Sequence, residues 1–266
     1  MRGGNHFWIF YSYNPPASPR HWCNVEFQKV QKNRLVHFTD FRAVPALWLG
    51  EPFLQSARDM KKHNERAYKN IFLGEATGSG SLVFENIECR KITDAEKNTF
   101  EFIYHGVDFG YFPDPFCYVA MSYNAKTKTL FIFGELYLYK HSNFDAYKRL
   151  CDYMQALDFS IGDERITADS AEPKSIADFR EYGANMRGAI KGRGSLDAGM
   201  KWLQGLKKIV IDNECAPKCA NEFSLYEYDI DKKSGEVLEG FPQGQSDHAI
   251  AAVRYALESV WMKRGA

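Results

Sequence analysis

The sequence lacks any net charge: across 266 residues, 34 Lys and Arg offset 34 Asp and Glu. That excludes a polycation attracted to nucleic acid as a whole, so any such contact must come from a local basic face. No apolar run approaches the roughly 18 residues that a membrane-spanning helix needs. Residues 7–13 (FWIFYSY) have the character of a short signal segment, but Asn14-Pro15-Pro16 follows them in place of the small residues of a cleavage site. Cysteine is sparse. Of the six, only Cys215 and Cys219 are close, and no second pair or nearby His completes a zinc set. Reduced thiols of a cytosolic protein are the simpler reading. Residues 188–195 are glycine-rich but lack the Lys-Ser/Thr pair of a phosphate-binding loop. There is no G-x-S-x-G elbow, no Cys–His pair in a suggestive context, no internal repeat and no low-complexity tract.

What is there is a folding composition, 45% hydrophobic and 26% charged, with enough length for one large domain or one domain plus an arm. Residues 7–13 read as an aromatic strand stopped by Asn14-Pro15-Pro16. Residues 51–72 read as a helix or helix pair, with Leu54, Ala57, Met60, Ala67, Tyr68 and Ile71 inward. A small-residue connector, Gly74 to Ser81, places a domain boundary near residue 80. Beyond it, residues 99–109, 115–123 and 129–139 are three strands with short links, predicting an antiparallel meander. A helix at 143–157, a short strand at 165–169, a helix begun by Pro173, a helix–strand pair at 195–205 and 207–212, and a helix over 246–262 complete an α/β mixed sheet flanked by helices. Residues 223–240 read as a hairpin around Lys232-Lys233-Ser234-Gly235, either a gate over a site or plain surface.

Three carboxylates stand at strand ends or helix starts. Asp108 comes late in an apolar strand, Asp169 ends a second short strand, and Asp247 opens the last helix beside His248. If the two strands are neighbours, both acids emerge at one edge and the helix can add a third. Each also has a plain reading: a turn at Asp108-Phe109-Gly110, a helix cap at Asp169, an ordinary first-turn acid at Asp247. As a set they repel one another unless a hard divalent cation neutralises them. All-oxygen ligands suit Mg²⁺ or Mn²⁺, and two such ions roughly 4 Å apart clamp the attacking and leaving oxygens of phosphoryl transfer.

One segment answers the missing net charge. Residues 180–208 hold two acids against seven Lys and Arg, among them Arg187, Lys191, Arg193 and Lys201, the candidate nucleic-acid contacts. Glycines at 188, 192 and 194 let backbone amides approach phosphates. A solvated helix face with loop lysines is the alternative.

The ordered motifs Gly106-Val107-Asp108-Phe109-Gly110 with Asp114-Pro115, then Ala168-Asp169-Ser170-Ala171-Glu172-Pro173, then Asp247-His248-Ala249-Ile250 with Arg254-Tyr255-Ala256, resemble the large terminase subunit of tailed bacteriophages, in its C-terminal nuclease domain. Leu73-Gly74-Glu75 and Tyr13-Asn14-Pro15-Pro16 resemble that family too, the latter its coupling segment near the end of the ATPase domain. The resemblance implies an RNase H-like fold over 81–266, with 1–80 an arm: the tail of the ATPase domain and its linker. It implies an endonuclease that cuts double-stranded, concatemeric DNA with two Mg²⁺ or Mn²⁺ ions in the cytoplasm of a bacterial host, alongside a portal and a small terminase subunit. Asp108 and Asp169 carry over as metal ligands, and Asp247 and His248 as further catalytic candidates. Two departures follow. The chain begins after the family's Walker segment and is expected not to be the motor itself. The family's last motif usually has an acid three residues after its His, where Ala251 stands, so a second metal site is expected to be weakened. A resolvase or transposase relative, and a DNA- or portal-docking module without nuclease activity, are the competing readings.

Overall fold

The computed structural model describes residues 8–16, 21–29, 31–63, 65–76, 81–231, 237–238, 240–242 and 244–262. The chain forms two compact units, Met1–Ser81 and Leu82–Ala266.

The first unit contains α1 (Trp22–Gln28), a 3-10 turn at Phe41–Ala43, α2 (Ala46–Leu49), α3 (Glu51–His63) and α4 (Glu65–Ile71). Its core is small: Ala57, Tyr68 and Leu73 pack with Phe41, Met60 and Phe72. Ile71, expected inward, is 62% exposed. The strand expected at 7–13 does not form over residues 8–13: among the described residues no strand pairs with it. Trp8, Phe10 and Tyr11 are exposed, and Tyr13 instead stacks on Phe27 at 5.0 Å. Phe7 and residues 77–80 of the connector lie outside the described residues.

The second unit runs β1 (Ile87–Cys89), α5 (Asp94–Lys97), β2 (Ile103–Asp108), β3 (Phe116–Asn124), β4 (Thr129–Leu138), α6 (Asn143–Ala156), β5 (Ile166–Ala168), α7 (Pro173–Glu181), β6 (Met186–Gly188), α8 (Ser195–Gln204), β7 (Lys208–Ile211), α9 (Pro217–Leu225), α10 (His248–Ala256) and α11 (Glu258–Trp261). The strands form one seven-stranded sheet in the order β1-β7-β4-β3-β2-β5-β6. The meander β2-β3-β4 is antiparallel, as expected, and the flanking strands join it in parallel. Eight of the nine β3 residues are buried, so apolar side chains cover both faces of the sheet centre. On one face α8, α9 and α10 contribute Met200, Phe223, Ile250 and Val253 to the core. On the other, α6 and α7 contribute Leu150, Met154 and Phe179.

The seat of α10 decides where the functional residues lie. A Cβ at Gly106 would collide with the Ala252 carbonyl oxygen and crowd Ala256, so glycine in β2 and alanines in α10 let helix and strand meet backbone to backbone. The helix expected over 246–262 begins at His248 and is interrupted at Leu257, whose ψ of 7° leaves the helical range. The hairpin expected over 223–240 is reduced: Phe223, Ser224 and Leu225 end α9, and a single bridge joins Ile230 to Val237. Its turn, 232–235, lies outside the described residues.

Candidate metal and nuclease site

Register brings the two strand-end acids together. Val107 of β2 pairs with Ala168 of β5 in parallel, and the ladder continues as Asp169 N–H donates to the Val107 carbonyl at 3.2 Å. Asp108 and Asp169 are therefore the next residues along, emerging at the carboxyl ends of adjacent parallel strands. That edge is where loops and helix starts converge on an open α/β sheet.

Their surroundings differ. Asp108 is 15% exposed in its side chain, and its carboxylate accepts a hydrogen bond from His248 Nδ1 at 3.0 Å. Burial pushes its pKa up; His248 counters that, while Asp169 and Asp247 add to it. The same bond holds the His248 imidazole above its ordinary pKa, with Asp114 3.7 Å from Nε2. Asp169 is opposed by burial too, but stronger attractions win. It is ion-paired to Lys191 and accepts the Ala171 N–H at 2.7 Å and the Tyr255 hydroxyl at 2.9 Å, which together hold its pKa below the usual carboxylate value.

Asp247 is the residue before α10 and makes no side-chain cap there. Burial raises its pKa, against the attraction of His248 and Arg254. Ala251, one turn on, is buried against Ala189 and Tyr255, so the position carries methyl packing where a carboxylate is absent. Among the described residues no group of three or more His, Cys, Asp and Glu is arranged to hold a metal ion. The adjacent pair Asp108 and Asp169 has the all-oxygen chemistry of a hard divalent cation, and both carboxylates already attract a cationic or protonated partner. The residues fit such an ion on that pair.

With this geometry in view, the comparisons decide the family. The family described as the terminase RNase H-like domain matches residues 108–259. The chain belongs to this family. The large terminase subunit of Bacillus phage SPP1 is 36% identical over 268 residues, covering 98% of this chain and 61% of that protein. The PBSX phage terminase large subunit of Bacillus subtilis (strain 168) is 28% identical over 222 residues, covering 80% of this chain and 48% of that protein. The chain thus spans about half to three-fifths of these relatives' length. Among solved structures, the nuclease domain of the SPP1 large terminase with bound Mn superimposes with a TM-score of 0.59 at 35% identity, over 66% of this chain and 98% of that one. The large terminase of a thermophilic bacteriophage has a TM-score of 0.51 at 18% identity, over 92% of this chain and 62% of that one, and supports the fold alone. The expected RNase H-like mixed sheet flanked by helices is the fold the terminase domain adopts here.

The fold brings Asp108, Asp169 and His248 together and draws in Lys191 from the basic segment, while Asp247, within electrostatic reach of Asp108, is hydrogen-bonded to Tyr226. The other basic residues are dispersed. Arg187 is ion-paired at 2.6 Å with Glu258, whose side chain is 3% exposed, and Lys208 pairs with Glu88. Arg193 and Lys201 are exposed, and among the described residues neither makes an ion pair.

Glu222 is a residue the sequence reading passed over. Buried in α9, it accepts the Tyr137 hydroxyl at 3.0 Å, the Ser246 hydroxyl at 2.9 Å and the Ala249 N–H at 2.7 Å. It serves as the N-terminal cap that α10 lacks locally. Glu135 of β4 does the same for α9, accepting the N–H groups of Lys218 and Cys219 at 3.0 and 2.7 Å. No local motif marks either acid, because each caps a helix distant in sequence.

Proposed function

We propose that this chain is a divalent-metal-dependent endonuclease that hydrolyses phosphodiesters of double-stranded DNA, acting within a phage genome-packaging terminase. The observation that carries the reading is the register pairing of β2 with β5, which sets Asp108 beside Asp169 at one strand edge. The SPP1 relative solved with Mn, similar over the whole nuclease domain, supports it.

Asp108 and Asp169, with Asp247 as the third acid, are the residues that would hold Mg²⁺ or Mn²⁺, and we propose two ions. Bound there, a divalent cation supplies charge neutralisation for the scissile phosphate and lowers the pKa of water. The chain's own groups do the rest. His248 keeps a proton at Nδ1 against Asp108 and fixes that carboxylate's direction. Tyr255 and the Ala171 N–H orient Asp169. Lys191 holds Asp169 in the carboxylate form and must yield that oxygen to a metal. In the reaction the water oxygen bonds to phosphorus and one P–O ester bond breaks, its oxygen leaving as a hydroxyl. Arg193, Lys201 and Lys191 are the proposed DNA contacts, with Arg187 committed to Glu258. Residues 1–80 we assign to the end of the motor's ATPase region and its linker, and portal and small terminase subunit to its partners in the bacterial cytoplasm. Among the described residues no helix is long and apolar enough to cross a membrane.

Ala251 is where the site is thinnest, and Mn²⁺-dependent plasmid cleavage tests the whole reading. The native chain should nick and linearise, Asp108→Asn should lose at least about a hundredfold, beyond the loss typical of supporting residues, and Ala251→Asp should gain. A native chain inert in Mn²⁺ and not rescued by Ala251→Asp would be a DNA- or portal-docking module instead.

A further inference from the structure

The edge of the sheet beside Asp108, away from Lys191, carries chemistry the metal site does not use. Asp108 pairs with Cys117 of β3, and Cys117 with Tyr137 of β4, so the three side chains share one face in a row. At the spacing of adjacent strands, Tyr137 stands roughly 10 Å from Asp108 along that row. Tyr139, two residues on, continues the same face and is 43% exposed. Lys218 Nζ lies 4.7 Å from the Tyr137 ring centroid and 5.2 Å from that of Tyr139. These rings, with Asn221 of α9, line a cavity of about 460 Å³ that reaches Ser246, the second residue before α10. Next to Tyr139, Lys140 donates its backbone N–H to the Tyr111 carbonyl at 2.9 Å, and in that loop leaving Asp108 Phe112 is 60% exposed with Lys140 Nζ 4.2 Å from its centroid.

Tyr139 and Phe112 are exposed rings and Tyr137 a half-buried one, each with a lysine ammonium over it. Their interleaving matches the stacking platforms on which proteins hold unpaired bases, with the cations against the backbone. We propose that Tyr137, Tyr139, Lys218, Phe112 and Lys140 form a binding shelf for single-stranded DNA, which holds the unpaired strand next to the phosphate at Asp108. This rests on the reading of the chain as a DNA-cutting domain and adds a substrate state to it: a locally melted strand.

The test is binding without chemistry. Fluorescence anisotropy in EDTA, on the full chain, compares a labelled oligothymidylate with a labelled blunt hairpin duplex. Replacing both Tyr139 and Phe112 by Ala should lower oligothymidylate affinity by about tenfold or more, the worth of one to two stacked bases, and several times more than it lowers duplex affinity. Tyr139→Phe, which keeps the ring, should retain most of the single-strand affinity. Equal losses on both DNAs, or no loss on oligothymidylate, overturn the shelf; the second outcome leaves it as a surface for a protein partner. If the selective loss is found but the native chain fails to cut with Mn²⁺, the shelf stands and the endonuclease reading falls.

Discussion

The two flanks of the Asp108–Asp169 pair are built on opposite plans. On the α9–α10 flank the bracing groups are buried or half-buried and act from a distance. Glu135 caps α9, Glu222 on α9 caps α10, and His248 at the start of α10 reaches back to Asp108. On the β6–α8 flank Asp169 accepts the Ala171 N–H and the Tyr255 hydroxyl, but its charge is met by one partly exposed lysine, and the adjoining loop has open space around Gly192 and Gly194. A braced flank keeps one ligand where it is needed, whereas an ion pair at the surface is worth little and exchanges readily. The difference suggests a division of labour: Asp108 is prepositioned and Asp169 is exchangeable.

The braced flank should break hardest. Glu222→Ala strips the acceptor from three donors, and with each buried donor left unpaired worth ~1–3 kcal/mol, unfolding free energy should drop by about 3 kcal/mol, the exposed Ser246 turning to water. Cleavage should fall by about 10–100-fold, the range for supports of metal ligands. Urea denaturation and the Mn²⁺ plasmid assay read the two; unchanged stability would falsify the capping relay. Next in size is Arg187→Ala. It leaves the Glu258 carboxylate with only the Ile190 N–H, and because Arg187 is 28% exposed water can reach the gap, so the cost should be about 2 kcal/mol, that of a buried polar group left unpaired. Duplex affinity should change less than in Arg193→Ala or Lys201→Ala, and the opposite ranking would return Arg187 to the DNA-binding face.

The exposed flank should respond in the other direction. Lys191→Met removes the cation that occupies Asp169, so Mn²⁺ affinity by calorimetry should rise by about two- to fivefold, the equivalent of a surface ion pair. A fall would mean that Lys191 helps assemble the site instead of competing for it.

How much of this could be read in the sequence follows the range of the interactions. The meander, the helix at 143–157 and the strand–Pro173 helix unit are local patterns of period two or 3.6, and they came through within a few residues. The juxtaposition of Asp108 with Asp169 needed one non-local step, that two short apolar strands are neighbours, which the sequence left as a condition and the register of Val107 with Ala168 meets. What escaped is non-local in kind. Residues 7–13 have strand composition, but composition cannot show that a partner strand is missing. Phe223, Ser224 and Leu225 read as strand, yet Glu222 and Phe223 are buried on a helix that Pro217 starts and Glu135 caps from β4. Arg187 and Lys191 looked alike in a basic stretch; only the fold shows one turned to buried Glu258 and the other to Asp169.

The smallest effect is also the most direct measure of the two plans. In the metal-free chain, Asp108 titrates above the usual carboxylate range because it is buried, and Asp169 below it, since Lys191, the Ala171 N–H and Tyr255 outweigh its burial. The signs for stability then oppose. A carboxylate whose pKa is raised on folding contributes most below its unfolded pKa, and the contribution is lost as pH rises through the folded value. A carboxylate whose pKa is lowered contributes above its unfolded pKa and loses that only as pH falls through the folded value. Carbon-detected NMR of the two carboxyl groups in EDTA should therefore show Asp108 protonating first on acidification, with Asp169 still ionised. Asp108→Asn should raise stability near neutral pH relative to its effect near the unfolded carboxylate pKa, whereas Asp169→Asn should lower it at neutral pH. If both carboxylates titrate together in the ordinary range, the two flanks are electrostatically equivalent and the prepositioned-against-exchangeable distinction is lost. If the order is as stated, Asp169 is the ligand oxygen whose charge its neighbours favour, and Asp108 the one whose charge burial opposes.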